Sequence, residues 1–213
     1  MAPVIPTTTG QAVLIDCGAN AECTPEYLVQ FAYLGSFYAQ QVLGLERPRV
    51  GLLNIGAEDS KGTDLQKQTL ARLKEADAAG HLHFIGNIEA KEAIKGGCDV
   101  IVTDGFSGNI LLKTMEGVGS FAGSALKSMF KKNLLTKLAA LAVMPGLNAF
   151  KDKLDPNKVG GTAFIGISKA VIKAHGASNA EAIENAVGQA AAFARSGLIE
   201  KIEENVNLMK IEQ

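Results

Sequence analysis

The sequence has no tryptophan, few aromatic residues (6%), only three cysteines in 213 residues, and a formal net charge at pH 7 of −1. A net charge this close to zero gives no overall attraction to nucleic acid, so any electrostatic targeting has to come from local patches. Three cysteines, an odd number without metal-ligand spacing, favour free thiols in a reducing cytoplasm over a disulfide framework. Hydrophobic residues are abundant (47%), which is typical of a globular α/β protein with a substantial core.

The sequence also lacks a targeting signal and a membrane span. Its first ten residues, MAPVIPTTTG, have neither the basic region nor the apolar stretch of a secretory signal, which predicts a protein that is not secreted. The uncharged stretch 138–150 is too short to span a bilayer, and the uncharged stretch 27–45 is interrupted by glutamines, tyrosines and a serine. The latter predicts a buried helix instead, with Thr24 as its N-cap and Pro25 as its first residue.

Short apolar runs alternate with amphipathic helices along the chain, and each run ends in a small polar loop that contains glycine. Strands that alternate with helices of this length need crossover connections, which predicts a mainly parallel sheet covered by helices on both faces. The carboxyl ends of parallel strands meet at one edge of a sheet, where ligands usually bind. The runs are AVLIDCGAN (12–20), VGLLNIGAEDSKG (50–62), HFIGN (83–87), VIVTDGFSGN (100–109) and AVIKAHGAS (170–178).

Capping signals predict where two further helices begin. Thr63 and Gln66 form a T-x-x-Q capping box, and Ser178 and Glu181 form a second pair at the same spacing. The helix after Ser178 carries small and apolar residues at three- and four-residue spacing, and Gly197 is a suitable end for it.

The stretch TDGFSGN (103–109) follows an apolar run and is rich in glycine. Because Gly105 and Gly108 lie three residues apart, the backbone there can approach a ligand while the next helix presents unpaired N–H groups, as in an anion site. The alternative is an ordinary strand-to-helix turn. The sequence contains neither the P-loop pattern nor the strict G-x-G-x-x-G pattern, so a nucleotide site loses its main support.

The stretch VIKAHGAS (171–178) places a lysine and a histidine at the end of an apolar run. We expect this run to be a buried strand that delivers Lys173 and His175 to the carboxyl edge of the sheet. A lysine ammonium beside a helix N-terminus suits phosphate, and a histidine adds a donor or exchanges a proton near neutral pH. The alternative is that both are ordinary polar residues at a sheet edge, with Ser178 acting only as a cap.

Three of these segments together resemble a known family. LLNIGAEDSKG (52–62), TDGFSGNILLK (103–113) and VIKAHGAS, with IDCGAN (15–20) near the start, are similar to the phosphate acyltransferases of bacterial phospholipid synthesis. The resemblance covers almost the whole chain and implies a dimeric three-layer α/β/α fold like that of phosphotransacetylases and the isopropylmalate dehydrogenase group. The family's N-terminal glycine-rich segments have no match here. We therefore expect residues 1–213 to form a single α/β unit corresponding to the C-terminal part of that fold.

The resemblance implies an activity and a set of partners. Members of the family move a long fatty acyl group from acyl carrier protein to inorganic phosphate, and a membrane glycerol-3-phosphate acyltransferase consumes the acyl phosphate. The implied protein is a cytoplasmic homodimer, peripherally associated with the inner face of the cell membrane, with no cofactor, no metal and no nucleic acid. One alternative is a truncated, noncatalytic module that binds membrane or carrier protein. Another, a metal-dependent dehydrogenase, needs a paired-aspartate metal site and a nucleotide loop, and the sequence contains neither.

The chemistry of the reaction suggests roles for the polar residues. Phosphate is already an anion near neutral pH, so the protein has to position it and stabilise the oxyanion that develops on the thioester. We assign Lys173 and the helix N-terminus after Asn109 to phosphate, and Asn109 or His175 to the oxyanion, with His175 also facing the leaving sulfur. Asp104 either orients a lysine or loop N–H groups, or only caps a helix. Further residues expected to bind phosphate or substrate are Gly105, Ser107, Gly108, Gly176, Ser178, Asn54 and Lys61. Of these, Lys61 is expected to contact the phosphopantetheine arm of the carrier protein.

Residues 127–153 are strongly basic, with six lysines and one aspartate. Their apolar residues recur at helical spacing, and Pro145 and Gly146 are predicted to break the run before a second short helix. One prediction is a helical hairpin packed on its own domain or at a dimer interface. The other is an amphipathic excursion that lies on an anionic membrane or docks acidic acyl carrier protein. The residues assigned to such contacts are Lys127, Lys131, Lys132, Lys137, Leu138 and Leu141.

Overall fold

The computed structural model describes residues 1–154 and 160–210. Within these residues the chain forms seven strands, seven helices and one 3₁₀ turn (Val206–Met209). The strands are β1 (Val4–Pro6), β2 (Gln11–Ile15), β3 (Arg49–Asn54), β4 (His83–Glu89), β5 (Val100–Val102), β6 (Gly161–Phe164) and β7 (Val171–Ala174). The helices are α1 (Pro25–Gln41), α2 (Asp64–Ala78), α3 (Ala90–Ile94), α4 (Gly105–Phe130), α5 (Leu134–Leu154), α6 (Ala180–Arg195) and α7 (Leu198–Glu204).

The central sheet has five strands in the order β1-β2-β5-β3-β4. The pairs β2–β5, β5–β3 and β3–β4 are parallel, and only β1 runs antiparallel, at the edge. Every residue of β5 is buried because this strand lies in the middle of the sheet with helices on both of its faces. The predicted α/β fold with a mainly parallel sheet is confirmed.

Each face of the sheet has its own hydrophobic cluster, as a three-layer arrangement requires. Val13 and Val100 face the cluster formed with α1 and α2. Leu14 and Ile101, the next residue in each strand, belong to the opposite cluster, which contacts α3 and the first half of α4. Alternation along buried strands therefore serves two cores at once.

Helix α1 is the buried helix that the uncharged stretch 27–45 predicted. It begins at Pro25 after the N-cap Thr24, because a proline at the first helical position loses no hydrogen bond. Gly35 lets it approach the sheet: a Cβ there would lie 2.5 Å from Cγ1 of Val100 and 3.0 Å from Cγ2 of Ile15. The helix packs directly over β2 and β5.

The capping predictions were right for α2 and wrong by one residue for α6. The backbone N–H of Thr63 donates to Oε1 of Gln66 at 3.1 Å, as in a capping box. Helix α6 is capped by Asn179, whose Oδ1 accepts the N–H of Ala182 at 2.9 Å, and not by Ser178. The predicted end of α6 is confirmed, since Gly197 follows it with φ of +72°.

The strand in VIKAHGAS is not a buried strand of the parallel sheet. Strand β7 pairs antiparallel with β6, with Lys173 opposite Thr162, and none of its four residues is fully buried. The connection between the two strands is short and contains Gly166 with φ of +83°, which makes a hairpin. The N–H of Ala2 donates to the carbonyl of Ala163 at 2.9 Å. The side chains of Ala163 and Ile172 pack in the hydrophobic cluster that also contains Phe193, so the hairpin is joined to the body of the protein by packing as well as by this bridge.

Residues 127–153 form part of a long helical hairpin, but its turn lies elsewhere than predicted. The chain reverses between α4 and α5, where Oδ1 of Asn133 accepts the N–H of Thr136 at 2.9 Å and caps α5. Pro145 lies inside α5, so the prediction that Pro145 and Gly146 break the helix was wrong. Leu138 and Leu141 are 56% and 66% exposed. Within the described residues, no helix is both long and apolar enough to cross a membrane.

Candidate functional site

A cavity of about 260 Å³ lies between β1, the first half of α4 and the β6–β7 hairpin. It brings together three of the four residues assigned to catalysis, Asn109, Lys173 and His175, although they come from two distant parts of the chain. Its other walls are Met1, Pro3 to Pro6, Cys17, Leu112, Lys113, Met115, Glu116, Gly119, Gly160 to Thr162 and Ala174. The fourth assigned residue, Asp104, lies outside the cavity.

Lys173 reaches the cavity from the exposed side of β7. Its Nζ lies 3.9 Å from Sδ of Met1, and no carboxylate of the described residues forms an ion pair with it. An exposed ammonium without a fixed counter-ion is suited to bind an anion that enters from solvent.

His175 follows β7 directly, and the turn after it engages one of its two ring nitrogens. The N–H of Ala177 donates to Nδ1 of His175 at 3.2 Å, so Nδ1 is an acceptor. In the neutral ring the proton is then on Nε2. His175 therefore has a donor left for a group in the cavity.

Asp104 is the N-cap of α4, which agrees with the second of the two roles predicted for it. Its Oδ1 accepts the N–H of Ser107 at 2.8 Å, and the N–H of Gly105 donates to the carbonyl of Asn20 at 2.9 Å. Two of the N–H groups at this helix end are thus used inside the protein. Asp104, Gly105 and Ser107 do not line the cavity, and anion binding at this helix N-terminus stays a prediction.

Gly105 and Gly108 of TDGFSGN let α4 pack closely against the loop after β2. Helix α4 begins at Gly105, so most of the predicted loop is helical. A Cβ on Gly105 would lie 2.5 Å from the carbonyl oxygen of Asn20, and one on Gly108 would lie 2.0 Å from that of Asp16. The close approach that the glycine spacing predicted is real, but the partner is the loop after β2.

That loop is organised by a buried carboxylate whose role the sequence reasoning missed. Asp16 is fully buried and accepts hydrogen bonds from the N–H groups of Cys17 (2.5 Å), Ala19 (3.0 Å) and Asn20 (2.6 Å). The ammonium of Met1 also donates to it at 2.7 Å. The order Asp-x-Gly-x-Asn after an apolar run was the signal available, because such side chains hydrogen-bond nearby backbone in tight loops.

Two charged residues of the cavity were also missed. Lys113 and Glu116 lie on α4 and form an ion pair, with Nζ 2.8 Å from Oε2. Lys113 follows Asn109 by four residues, so the two share one face of the helix. That spacing was visible in the sequence once the helix was known to start before Asn109.

The interior of the cavity is apolar. Cys17 is buried there, beside the half-buried side chains of Leu112 and Met115. Burial raises the pKa of Cys17 to about 11, and the neighbouring charge of Asp16 raises it too. The thiol is therefore protonated at neutral pH and is not a nucleophile. The cavity combines a charged rim with an apolar floor.

Five further predicted residues do not line the cavity: Gly108, Asn54, Lys61, Gly176 and Ser178. Nδ2 of Asn54 donates to the carbonyl of Lys61 at 3.2 Å, and both belong to the loop between β3 and α2. Gly176 and Ser178 follow His175 but do not line the cavity. The N–H of Ser178 donates to the carbonyl of His175 at 3.0 Å, which closes the turn. In the part of the chain that the structure describes, no three histidine, cysteine or acidic side chains are grouped to hold a metal ion.

Comparison with known proteins gives one family. Residues 1–201 match the family described as fatty acid synthesis protein. The chain is 48% identical over 207 residues to the phosphate acyltransferase of Alkaliphilus oremlandii, a match covering 97% of this chain and 61% of that protein. It is 45% identical to the phosphate acyltransferases of Thermoanaerobacter pseudethanolicus (98% and 62% covered) and Bacillus licheniformis (97% and 62% covered). The chain thus spans about three fifths of the length of these curated relatives.

Proposed function

Because the chain belongs to the fatty acid synthesis protein family, we propose that it carries the acyl-transfer site of a phosphate acyltransferase. The reaction transfers a long fatty acyl group from acyl carrier protein to inorganic phosphate, for use in phospholipid synthesis. The observation that carries the proposal is the cavity in which Lys173, His175 and Asn109 surround an apolar interior. The names of the relatives, which are phosphate acyltransferases, support the same reaction class.

Phosphate binds at the charged rim in this proposal. Lys173 has no carboxylate partner among the described residues and contacts phosphate through its ammonium group. The N-terminus of α4 is left out of this proposal, because Asn20 and Asp104 accept the N–H groups of Gly105 and Ser107. In this proposal the binding of phosphate therefore depends on side chains of the cavity and not on the dipole of α4.

The chemical step needs a stabilised oxyanion and a proton for the leaving group. A phosphate oxygen attacks the thioester carbonyl carbon, and the tetrahedral intermediate then loses the carrier thiolate as the C–S bond breaks. Asn109 and the Nε2–H of His175 are donors for the oxyanion. The carrier thiolate, whose reference pKa as a thiol is about 8.5, takes up a proton from water, and the acyl phosphate releases to water the proton that hydrogen phosphate carried. Acyl phosphate and the free carrier thiol are the products.

The apolar floor is suited to the acyl chain next to the carbonyl. Leu112, Met115 and Cys17 present carbon and sulfur atoms to the cavity, where a methylene chain gains from leaving water. Cys17 contributes surface and not chemistry, because its thiol stays protonated.

The helical hairpin of α4 and α5 supplies contacts to partners in this proposal. Its exposed leucines, Leu138 and Leu141, and the lysines around them form an apolar and basic surface. Such a surface suits acidic acyl carrier protein or the anionic inner face of the cell membrane, where a membrane glycerol-3-phosphate acyltransferase takes up the product. The same helices are a candidate contact with a second copy in a homodimer. Binding to acyl carrier protein, binding to anionic vesicles, and the molar mass in solution distinguish these partners.

The test measures the phosphate-dependent consumption of acyl carrier protein that carries a long fatty acyl group, and hydroxylamine traps the acyl phosphate that forms. We expect Lys173→Ala and His175→Ala each to lower the rate by about a hundredfold, as does removal of one transition-state donor in other enzymes. Lys67→Ala is the matched control, because Lys67 is an exposed lysine on α2 outside the cavity. Unchanged rates in both cavity variants would contradict the assignment. A chain that leaves the acylated carrier protein unreacted but still binds it would favour the noncatalytic module instead.

A further inference from the structure

The cavity contains a second lysine that the proposed function leaves unused. Lys113 lies one helical turn beyond Asn109, and both side chains line the same cavity as Lys173. Glu116 lines it as well and holds the Lys113 ammonium through both carboxylate oxygens, at 3.1 and 2.8 Å. The side chains of this pair are 50% and 41% exposed. The ion pair therefore faces solvent at the rim.

The charge of the expected ligand requires more than one cation. Hydrogen phosphate is a dianion, and a single ammonium such as that of Lys173 offsets half of its charge. Of the lysines in the described part of the chain, Lys113 is the other one that lines the cavity. An ion pair exposed to solvent contributes little to stability, so the ammonium can exchange Glu116 for a dianion at small cost.

The charges of the Lys113–Glu116 ion pair also influence the buried wall of the cavity. Cys17 lies in the cavity wall and is 3% exposed. Burial raises the pKa of this thiol most, Asp16 raises it further, and the charges of Lys113 and Glu116 act on it in opposite directions. The charges of Lys113 and Glu116 therefore reach the cavity wall at Cys17, where they oppose each other.

We propose that Lys113 is a second phosphate-binding residue of this cavity, and that Glu116 is its counter-ion while phosphate is absent. The inference rests on the proposed function, because it takes phosphate to be the ligand that Lys173 binds. Phosphate and the Glu116 carboxylate compete for one ammonium. The two members of the ion pair must then affect phosphate binding in opposite directions.

The experiment measures the dissociation constant of inorganic phosphate by isothermal titration calorimetry at low ionic strength, where screening is weak. Lys113→Met is expected to weaken binding by about tenfold, since it removes a charge-assisted contact. Glu116→Gln is expected to strengthen binding by about threefold, since it removes the competing charge. Lys113→Arg, which keeps the charge, is expected to retain most of the affinity, and Lys67→Met is the control without effect.

The outcomes separate this inference from the proposed function. If Lys173→Ala loses phosphate binding while Lys113→Met and Glu116→Gln bind as the unaltered chain does, the role of Lys113 is overturned and the proposed function stands. If the unaltered chain binds no phosphate, both are overturned. Equal weakening by Lys113→Met and Glu116→Gln would assign the ion pair a purely structural role. If Lys113→Met does not fold, as judged by circular dichroism, tighter binding by Glu116→Gln supports the inference and unchanged or weaker binding overturns it.

Discussion

Gly108 is the position where one added methyl group tests most directly how α4 meets the sheet. It is buried in the first turns of α4, and a Cβ there would lie 2.0 Å from the carbonyl oxygen of Asp16 and 2.9 Å from Cγ2 of Thr103. The carbonyl belongs to a loop that the Asp16 carboxylate holds through several backbone N–H groups. The loop therefore has little freedom to move away from a new side chain.

The sign of the effect follows from two opposing quantities. Alanine is favoured over glycine in a helix interior by about 1 kcal/mol when nothing else changes. Overpacking a close contact costs about 1–3 kcal/mol and occasionally more. A contact of 2.0 Å with a backbone atom belongs at the upper end of that range, so we expect Gly108→Ala to lower the free energy of unfolding by about 2 kcal/mol net. Gly117→Ala, on the same helix with no described atom within 4 Å of its Cβ, is expected to raise it by up to about 1 kcal/mol.

Urea unfolding of the two variants and the unaltered chain, followed by far-ultraviolet circular dichroism, measures both changes. The comparison within one helix cancels the intrinsic preference for alanine, so the difference between the variants reports the contact at Gly108 alone. If Gly108→Ala proves as stable as Gly117→Ala, α4 does not approach the loop after β2 as closely as the structure places it. The packing role given to Gly108 would then be wrong.

Three further predictions concern a salt bridge, the thiols and a helix cap. Burial acts to raise the pKa of Asp99, but hydrogen bonds from Arg49 outweigh it and leave the pKa below its usual value. The stability from this pair is therefore present above the unfolded-state pKa of about 3.9 and is lost as the pH falls through the lower folded-state value. In urea unfolding, Asp99→Asn should lower the free energy of unfolding by about 1 kcal/mol at pH 7 and change it little at pH 2. An equal decrease at both pH values would contradict this. Iodoacetamide at pH 8 should modify the half-buried Cys23 well before the buried Cys17, as read by mass spectrometry, and the reverse order would place Cys17 outside the core. Asp104→Ala should lower the free energy of unfolding by about 1 kcal/mol in thermal or urea unfolding, whereas Asp104→Asn, which still accepts a hydrogen bond, should cost less.

Features set by neighbouring residues were predictable from the sequence. The starts of α1 and α2 depend on Thr24 followed by proline and on Thr63 paired with Gln66, and both signals lie within four residues of the helix they start. The parallel sheet was predictable as well, because alternating strands and helices leave few other arrangements. Local hydrogen bonding and connection length decide these features, and short stretches of sequence determine both.

Features that depend on distant partners were not predictable in the same way. The apolar run of VIKAHGAS is compatible with a parallel or an antiparallel strand, and its pairing with β6 is decided by the hairpin connection around Gly166. The glycines of TDGFSGN signal a close approach without naming the partner, which is the backbone of Asp16. Pro145 is normally a helix breaker, yet α5 continues through it after a capped start.

The candidate site was predictable in its residue types and only partly in its members. Lys173, His175 and Asn109 line one cavity, as their assignment to one site requires, but an antiparallel hairpin and not a buried parallel strand brings Lys173 and His175 there. Lys113 and Glu116 were missed because the helix was expected to start after Asn109. Asn109 lies inside the helix, and only then do Asn109 and Lys113, four residues apart, share one of its faces.

The cavity walls come from three segments that lie far apart in the chain: β1, the first half of α4, and the β6–β7 hairpin. A cavity assembled this way exists only when all three segments are folded together, so a molecule bound in it binds the native state and not the unfolded one. Its binding free energy then adds to the stability of the whole protein, by about 2.7 kcal/mol at a hundredfold excess over its dissociation constant. The thermal midpoint of the protein thus becomes a sensor for any ligand of the cavity, including small anions and fatty acyl compounds that give no spectroscopic signal.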